Sequence, residues 1–313
     1  MKPRITLQHR NFALHIEPKT GGCITGFWSD GIPVLRSTAE NETLGSVRLS
    51  ASYPLVPFSN RIGFGKFNWL GEEHTLAANF LPEPHAIHGV GWQLPWQVLD
   101  ATSSSARLRL CHRPATLETR ASWPFDFDCI QTFALDDSGL QMELSLTNCE
   151  SWRPMPAGLG FHPYFVKRPG SHIAFTAAER WEMDAQNLPT ARLPSLGLKT
   201  DCADLAIDHC FEGCSGTVQL SDAMLDCRIT STSYYLVVYT QPPQDFIAIE
   251  PVSHANNALG RLTVGQGIAA LQSRSVKSLQ PGETVNLTMR INVRHQLDNK
   301  IQKITQQISA EPT

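Results

Sequence analysis

The sequence lacks the features that mark several large classes of protein. It has no excess of basic residues, because 26 Lys and Arg stand against 29 Asp and Glu, for a formal charge of −3. It also contains no basic run, so neither a nucleic acid nor an acidic membrane surface is expected as a partner. No segment approaches the roughly 18 apolar residues of a membrane-spanning helix, so no membrane association is expected.

No secretory signal is expected from the first residues of the sequence. The first residues are interrupted by Lys2, Arg4, His9 and Arg10, which leaves no continuous apolar segment of the kind a signal peptide needs. The eight cysteines are scattered along the chain. We therefore expect a cytoplasmic protein whose thiols are reduced.

Amphipathic helical patterns are almost absent, whereas alternation of apolar and polar residues is common. Ala106, Leu108 and Leu110 alternate with Arg107 and Arg109, and the same period of two runs through residues 140–146 and 285–293. Near the start, residues 5–16 alternate loosely, and a turn at 17–22 leads into residues 23–28. This periodicity predicts strands with one buried and one wet face, arranged in antiparallel sheets that pack face to face.

These patterns predict an all-β protein built as one large antiparallel β-sandwich over residues 1–294, with a two-lobed β structure as the alternative. Residues 295–313 are predicted to form a C-terminal helical tail, because Leu297, Ile301, Ile304 and Ile308 recur at helical spacing. The tail would fold back on the body or dock a partner subunit, so the protein is expected to be a monomer or a homodimer.

A strand-like stretch at residues 158–165 sets a histidine among glycines and aromatic residues. Side chains alternate along a strand, so His162 shares its face with Gly158, Gly160 and Tyr164. The two missing side chains would leave room for a ligand to approach the imidazole. A core histidine that donates to a backbone carbonyl explains the pattern equally well.

A second stretch, residues 246–251, is an apolar strand that ends in a carboxylate. Glu250 shares its face with Phe246 and Ala248, and Pro251 interrupts regular pairing just after it. A carboxylate at the end of a buried run must be paired, hydrogen-bonded or functional. Together with His162 it forms a minimal acid/base pair.

Three more polar residues stand in otherwise apolar surroundings. Asn60 and Arg61 interrupt an apolar loop at residues 54–63, where Arg61 would either present fixed donors to a polar ligand or cap loop carbonyls. Asp208 follows an apolar pair, and a turn-capping role is its alternative.

Signals for a metal or an organic cofactor are weak. His85 and His88 have HxxH spacing, but no third ligand lies at a characteristic distance and no helical pattern places both rings on one face. Neither GxSxG nor GxGxxG occurs. We expect no metal site and no cofactor. Trp92 and Trp96 would stack on a sugar or, more commonly for tryptophan, pack in the core.

The polar stretches follow one another in an order that resembles the aldose 1-epimerase (galactose mutarotase) family. The matching pieces are Asn60-Arg61-Ile62, Ile87-His88-Gly89, residues 160–165, Ile207-Asp208, Ile249-Glu250-Pro251 and Asn256-Asn257-Ala258. The similarity runs from about residue 14 to residue 293. It implies a twisted super-sandwich that holds a sugar on the concave face of one sheet.

The resemblance also implies an activity, which is the interconversion of the α and β anomers of a free aldohexose such as galactose or glucose. In that comparison His162 matches the general acid and Glu250 the general base. The matches to ligands of the substrate hydroxyls are Arg61, His88 and Asp208, with Asn60 as a weaker match. The resemblance implies no metal or organic cofactor.

Two departures from the family pattern leave the identity of the sugar open. The usual His-Gly-Gly is His88-Gly89-Val90 here, and the run from Glu250 to Ala258 differs from that of the best-known galactose enzymes. A hexose-6-phosphate mutarotase is one alternative. It would need further cationic residues at the far end of the sugar, and Arg61 is the only arginine that the sequence places in the site.

A binding module and a hydrolase are also compatible with a sugar ligand. A non-catalytic sugar-binding module on the same fold would bind a sugar without exchanging its anomers. A glycoside hydrolase would need two carboxylates flanking the scissile bond, for which only Glu250 and Asp208 are available.

Overall fold

Antiparallel strands make up most of the chain that the structure describes. The computed structural model describes residues 4–38, 44–261 and 276–296. The predicted tail pattern from Leu297 onward lies outside these residues. The described helices are two short α-helices, α1 (Leu117–Ser122) and α2 (Ala258–Arg261), and two 3-10 turns, Val47–Leu49 and Gly63–Gly65. In this part of the chain, no helix has the length and apolar character needed to cross a membrane.

The strands are short and follow one another closely along the chain. The first half contains β1 (Ile5–His9), β2 (Phe12–Glu17), β3 (Cys23–Ser29), β4 (Ile32–Pro33), β5 (Pro54–Leu55), β6 (Arg61–Ile62), β7 (Lys66–Trp69), β8 (Glu72–Thr75), β9 (Ala86–Ile87), β10 (Gln97–Ala101), β11 (Ser105–His112), β12 (Phe127–Asp136) and β13 (Gly139–Asn148). The second half contains β14 (Met155–Ala157), β15 (Gly160–Phe161), β16 (Tyr164–Val166), β17 (His172–Phe175), β18 (Glu179–Met183), β19 (Pro189–Pro194), β20 (Leu198–Asp201), β21 (Ile207–Glu212), β22 (Thr217–Ser221), β23 (Leu225–Ser231), β24 (Tyr235–Thr240), β25 (Phe246–Val252), β26 (Lys277–Leu279) and β27 (Thr284–His295).

Two large sheets dominate the architecture. One has nine strands in the order β10-β11-β12-β13-β27-β23-β22-β17-β20, and the second has eight in the order β19-β18-β21-β24-β25-β15-β5, with β16 also paired to β25. Strands β1 to β4 form a separate four-stranded sheet, and three two-stranded pairs, β14-β26, β6-β9 and β7-β8, complete the set. The named strands pair antiparallel, as the sequence predicts.

The predicted alternation of buried and exposed side chains is confirmed in the nine-stranded sheet. Ala106 and Leu108 of β11 are buried, while Arg107 between them is exposed. One continuous apolar core joins this sheet to the eight-stranded one, for example through Leu144 of β13 and Ile249 of β25. Burying one face of each sheet against the other gives the all-β sandwich that the sequence predicts.

The first hairpin differs in detail from the prediction. Residues 5–16 form two strands rather than one, because the chain reverses at Arg10, whose φ is 51°, and β1 pairs with β2. The predicted turn at residues 17–22 is present and leads into β3. A Cβ at Gly21 would lie 2.1 Å from the carbonyl oxygen of Trp92, so this turn depends on a residue without a side chain.

The two faces of the eight-stranded sheet have different roles. On β24 and β25, Val238 and Ile249 point into the sandwich core. Their neighbours Val237, Ala248 and Glu250 point to the opposite face. The period of two therefore places a carboxylate on the outer face of a sheet whose inner face is apolar.

Candidate active site

An open cavity of about 660 Å³ lies on this outer face of the eight-stranded sheet. The six site residues predicted from the sequence come from five separate stretches, and all six line this cavity. They are Asn60, Arg61, His88, His162, Asp208 and Glu250. The fold thus brings together residues that are up to 190 positions apart in the chain.

Strand pairing places His162 directly beside Glu250. Gly160 pairs with Val252 and Tyr164 pairs with Ala248, so the same antiparallel register sets His162 opposite Glu250. The imidazole Nε2 lies 3.2 Å from the carboxylate Oε1, with the two side chains 9% and 3% exposed. The remaining polar atoms, His162 Nδ1 and Glu250 Oε2, have no hydrogen-bond partner among the described residues.

Burial controls the protonation of this pair. It raises the pKa of Glu250 well above its usual range, and the nearby Asp208 carboxylate adds to that increase. Burial, with a smaller contribution from Arg36, lowers the pKa of His162 to about 3. Since each group resists carrying a charge alone, the pair holds one proton between Nε2 and Oε1 around neutral pH.

His88 is fixed as a neutral donor. The Asn60 backbone N–H donates to His88 Nδ1 over 3.0 Å, and the His88 backbone N–H donates to the Asn60 carbonyl over 2.9 Å. Burial holds the pKa of His88 well below its usual value. With Nδ1 accepting, the ring proton is on Nε2. The imidazole ring lies 5.3 Å from that of His162 between centroids.

Arg61 is held in place by Glu83, a residue that no sequence pattern singles out. The Arg61 Nε and Nη2 donate to the two carboxylate oxygens of Glu83 over 2.7 and 2.8 Å, and Nη1 donates to Asn60 Oδ1 over 3.3 Å. Burial alone would raise the pKa of Glu83, but these contacts lower it. A guanidinium has five N–H donors, so some of them remain available to a ligand. Arg61 caps no loop carbonyl among the described residues, so that alternative is wrong.

Asp208 supplies an acceptor on the neighbouring strand. It belongs to β21 and pairs with Tyr239 of β24, which in turn pairs with Ala248 of β25. Its carboxylate has no hydrogen-bond or ion-pair partner in the described part of the chain, and burial raises its pKa. A strand residue of this kind does not cap a turn, so the turn-capping alternative is wrong.

Aromatic residues and a partly buried arginine surround His162, and sequence reasoning missed most of them. The rings of Tyr53 and Tyr164 lie 4.7 and 4.5 Å from the imidazole. Arg36 stacks over the Tyr164 ring at 3.9 Å. Tyr164 carried a signal, because its spacing places it on the face of His162. Tyr53 and Arg36 carried none, since only tertiary contacts bring them to the site.

The two glycines before His162 do not make room for a ligand, so that prediction is wrong. A Cβ at Gly158 would lie 2.2 Å from the ring of His254, and one at Gly160 would lie 2.9 Å from Leu55. Side chains of the protein occupy this space. His254 in turn accepts a hydrogen bond from the Ser59 N–H over 3.1 Å, which supports the loop that carries Asn60.

The two tryptophans pack in the protein, and the sugar-stacking alternative is wrong. Trp92 and Trp96 are 5% and 0% exposed. Their indole N–H groups donate to the carbonyls of Gly89 and Gly91 over 3.1 and 2.9 Å. They therefore brace the loop that carries His88 rather than facing the cavity.

Both histidines of the HxxH pair form hydrogen bonds with backbone groups. His85 Nδ1 accepts from the Phe64 N–H, and its Nε2 lies 3.0 Å from the Gln186 carbonyl. His88 is held by Asn60 as described above. Among residues 4–38, 44–261 and 276–296, no group of three or more His, Cys, Asp or Glu is arranged to hold a metal ion.

Comparison with known proteins gives one consistent result. The family model for aldose 1-epimerase matches residues 3–292. The uncharacterised Escherichia coli K12 protein YphB is 28% identical over 312 residues, covering 92% of this chain and 98% of its own length. The crystal structure of a candidate aldose 1-epimerase from E. coli K12 has a TM-score of 0.80 and 26% identity, with 94% of this chain and 99% of its own covered. A galactose mutarotase-like protein from Clostridium acetobutylicum shares the fold, with a TM-score of 0.80 at 17% identity and coverage of 93% and 95%.

The loop that carries His88 predicts a steric requirement at Gly89. This residue has a φ of +67°, and a Cβ there would lie 2.1 Å from the Val56 carbonyl oxygen, whereas Gly31 has a φ of +76° with open space around it. Gly31→Ala should lower the free energy of unfolding by about 1–2 kcal/mol, because alanine disfavours the left-handed backbone conformation. Gly89→Ala should lower it by about 1–3 kcal/mol more, because the added Cβ also overpacks against Val56. Urea denaturation measures both, and equal losses would show that the contact with Val56 is not limiting.

Proposed function

Because the chain belongs to the aldose 1-epimerase family, we propose that it interconverts the α and β anomers of a free aldohexose, with His162 as general acid and Glu250 as general base. The observation that carries the proposal is the 3.2 Å contact between His162 Nε2 and Glu250 Oε1, made on the wall of an open cavity. A purely structural buried pair normally has its remaining polar atoms satisfied. Here His162 Nδ1 and Glu250 Oε2 have no partner among the described residues.

The reaction needs two proton transfers at one end of the sugar. Opening an aldopyranose requires a proton on the ring oxygen and removal of the proton from the anomeric hydroxyl. Protonated His162 donates to the ring oxygen while ionised Glu250 accepts from the hydroxyl. The aldehyde then rotates about the C1–C2 bond, and the same groups act in reverse to close the other anomer.

The shared proton suits this cycle. Before ring opening the single proton of the pair moves to His162, because Nε2 and Oε1 lie within hydrogen-bond distance. Ring opening passes it to the ring oxygen and brings the proton of the anomeric hydroxyl to Glu250, and ring closure reverses both transfers. No exchange with bulk water is required between turnovers.

The remaining cavity residues fit the task of holding the non-reacting hydroxyls. Neutral His88 offers its Nε2–H and Arg61 its free N–H groups, whereas Asp208 offers a carboxylate that has no partner in the described chain. Asn60 lies between His88 and Arg61 and contacts both. Positioning of this kind can contribute several kcal/mol to catalysis, because only the reacting end of the sugar remains free to rotate.

Two arginines favour a second candidate function, mutarotation of a hexose phosphate. Arg36 and Arg48 line the cavity together with Arg61, which corrects the expectation that Arg61 would be the only arginine there. Within the described residues neither of them forms an ion pair with a carboxylate, while Arg61 is paired with Glu83. Cations of this kind are suited to bind a phosphate on the substrate.

We predict that His162→Ala and Glu250→Gln each reduce kcat about 10²- to 10⁴-fold, since each removes one partner of the acid/base pair. Polarimetry on freshly dissolved α-D-galactose and α-D-glucose measures the rate. His112→Ala and Glu212→Gln are matched controls, because they remove a buried imidazole and a buried carboxylate outside the cavity. Wild-type activity in either site variant would exclude the assignment. Sugar binding without anomer exchange by the wild-type protein would support the binding-module alternative.

We predict a bell-shaped pH dependence of kcat/KM, because the active form of the free enzyme carries one proton on the pair. On the acid side the pair gains a second proton, and activity should fall only toward pH 3, since the pKa of His162 is lowered to about 3. On the alkaline side activity is lost as the pair gives up its proton from Glu250, whose pKa is raised well above 4.5. A rate that rises steadily through neutral pH would contradict this protonation scheme. Circular dichroism at each pH separates it from unfolding.

The two candidate substrates can be compared directly. If the substrate is a free aldohexose, glucose 6-phosphate should show a lower kcat/KM than glucose, and Arg48→Gln should leave glucose mutarotation within about twofold of wild type. Polarimetry on freshly prepared anomers of both sugars provides the measurement. A higher kcat/KM for the phosphate that falls in Arg48→Gln would favour the second candidate.

A further inference from the structure

The hydroxyl of Tyr164 lies at the reacting pair although the two-residue mechanism gives it no task. Tyr164 Oη is 3.5 Å from His162 Nε2, the same ring nitrogen that faces Glu250 Oε1 at 3.2 Å. On its far side, Tyr53 Oη lies 3.3 Å from Tyr164 Oη. The four groups form one chain of buried proton-carrying atoms that runs from Tyr53 through Tyr164 and His162 to Glu250.

A fixed cation acts on the Tyr164 ring. The Arg36 guanidinium stacks 3.9 Å from the centre of that ring. It cannot swing away easily, because its Nε donates to the Ser50 carbonyl over 3.1 Å and its Nη2 donates to the Arg48 carbonyl over 2.8 Å. A positive charge beside a phenol stabilises electron density on its oxygen and makes the O–H a stronger hydrogen-bond donor.

Anomer interconversion would be helped by a fixed hydrogen-bond donor to the anomeric oxygen. In the α and β anomers the anomeric oxygen lies on opposite sides of the sugar ring, and between them it becomes the carbonyl oxygen of an open-chain aldehyde. One carboxylate and one imidazole account for the two proton transfers. They do not by themselves provide a fixed donor for the carbonyl oxygen while it carries partial negative charge and moves between its two positions.

We propose that Tyr164 is a third catalytic group, whose O–H donates to the anomeric oxygen of the sugar during ring opening and closure. This inference rests on the proposed anomer interconversion. The phenol proton is not transferred. Glu250 takes the proton of the anomeric hydroxyl, His162 gives one to the ring oxygen, and Tyr164 contributes only a hydrogen bond, so the proton count of the pair is unchanged.

The protonation of Tyr164 agrees with a donor rather than a base. Burial raises its pKa to about 12, so the phenol remains protonated at neutral pH. The groups that face His162 are Glu250, Tyr164, Tyr53, His88 and Arg36. Asp208 and Arg61 act on the pair through Glu250. Among the neutral groups, only Tyr164 places a hydroxyl within hydrogen-bond distance of His162 Nε2 in the described part of the chain.

The first test is Tyr164→Phe, which removes the hydroxyl and keeps the ring beneath Arg36. We expect kcat to fall about tenfold, the loss of one hydrogen bond worth about 1.4 kcal/mol in the transition state, while KM stays within about twofold. Tyr235→Phe is the control, because Tyr235 is a buried tyrosine on the same sheet that lies outside the cavity, and it should keep wild-type kcat. A wild-type kcat in Tyr164→Phe, or a raised KM with kcat unchanged, would overturn the proposal.

The outcomes of these variants separate the inference from the proposed function. A wild-type protein without mutarotase activity would exclude the function and this inference with it. A wild-type kcat in Tyr164→Phe beside a large loss of kcat in Glu250→Gln would overturn this inference alone. Tyr53→Phe provides a further variant, should Tyr164→Phe not fold. By removing the neighbour that orients the Tyr164 hydroxyl, it should lower kcat by a smaller factor than the tenfold expected for Tyr164→Phe, and a wild-type kcat there would count against the proposal.

Discussion

The candidate site depends on the antiparallel register between the 160–166 segment and β25. That register sets His162 opposite Glu250 and brings Nε2 to 3.2 Å from Oε1. A shift by one residue would turn one of the two side chains into the sandwich core, because strand side chains alternate between faces. Burying two full charges would be costly, and a proton shared between them avoids most of that cost. The fold thus keeps an acid and a base in contact in a mostly buried position.

The parts of the site around this pair are fixed mainly by backbone contacts. Asn60 and His88 both adopt left-handed backbone conformations and bind each other through two hydrogen bonds. Strained residues of this type persist where the surrounding structure holds them, and they concentrate at functional sites. The result is that His88 presents a donor in a predetermined tautomer, and little reorganisation is needed when a polar ligand arrives.

Much of the fold follows from the sequence, whereas only part of the site does. Alternation along β11, β13 and β27 predicts which side chains are buried, since each strand carries its own pattern. Alternation also led to the wrong prediction that Gly158 leaves room for a ligand beside His162. The space is filled by the ring of His254, which comes from a distant segment of the chain. Glu83, Arg36 and Tyr53 have no local signal and reach the cavity only through tertiary contacts. Local patterns singled out the six site residues as polar residues in mostly apolar surroundings, and the resemblance to a family placed them in one site with assigned roles. A family resemblance carries information about long-range pairing that periodicity lacks.

The departures from the family pattern lie outside the acid/base pair, so they bear on which sugar is bound and not on the proposed proton transfers. Val90 replaces a glycine of the usual His-Gly-Gly, yet it is buried in the core, and the left-handed conformation that requires glycine occurs at Gly89. The replacement therefore leaves His88 in place. Ring opening involves only the anomeric hydroxyl and the ring oxygen, and the groups that would act on them do not include the altered positions. Under the proposed function, selectivity would instead come from residues that can reach the remaining hydroxyls, such as Asp208 and the Arg61–Glu83 pair, which line the same cavity. A chain can thus change its sugar while the pairing of β16 with β25, and with it the acid/base geometry, remains the same.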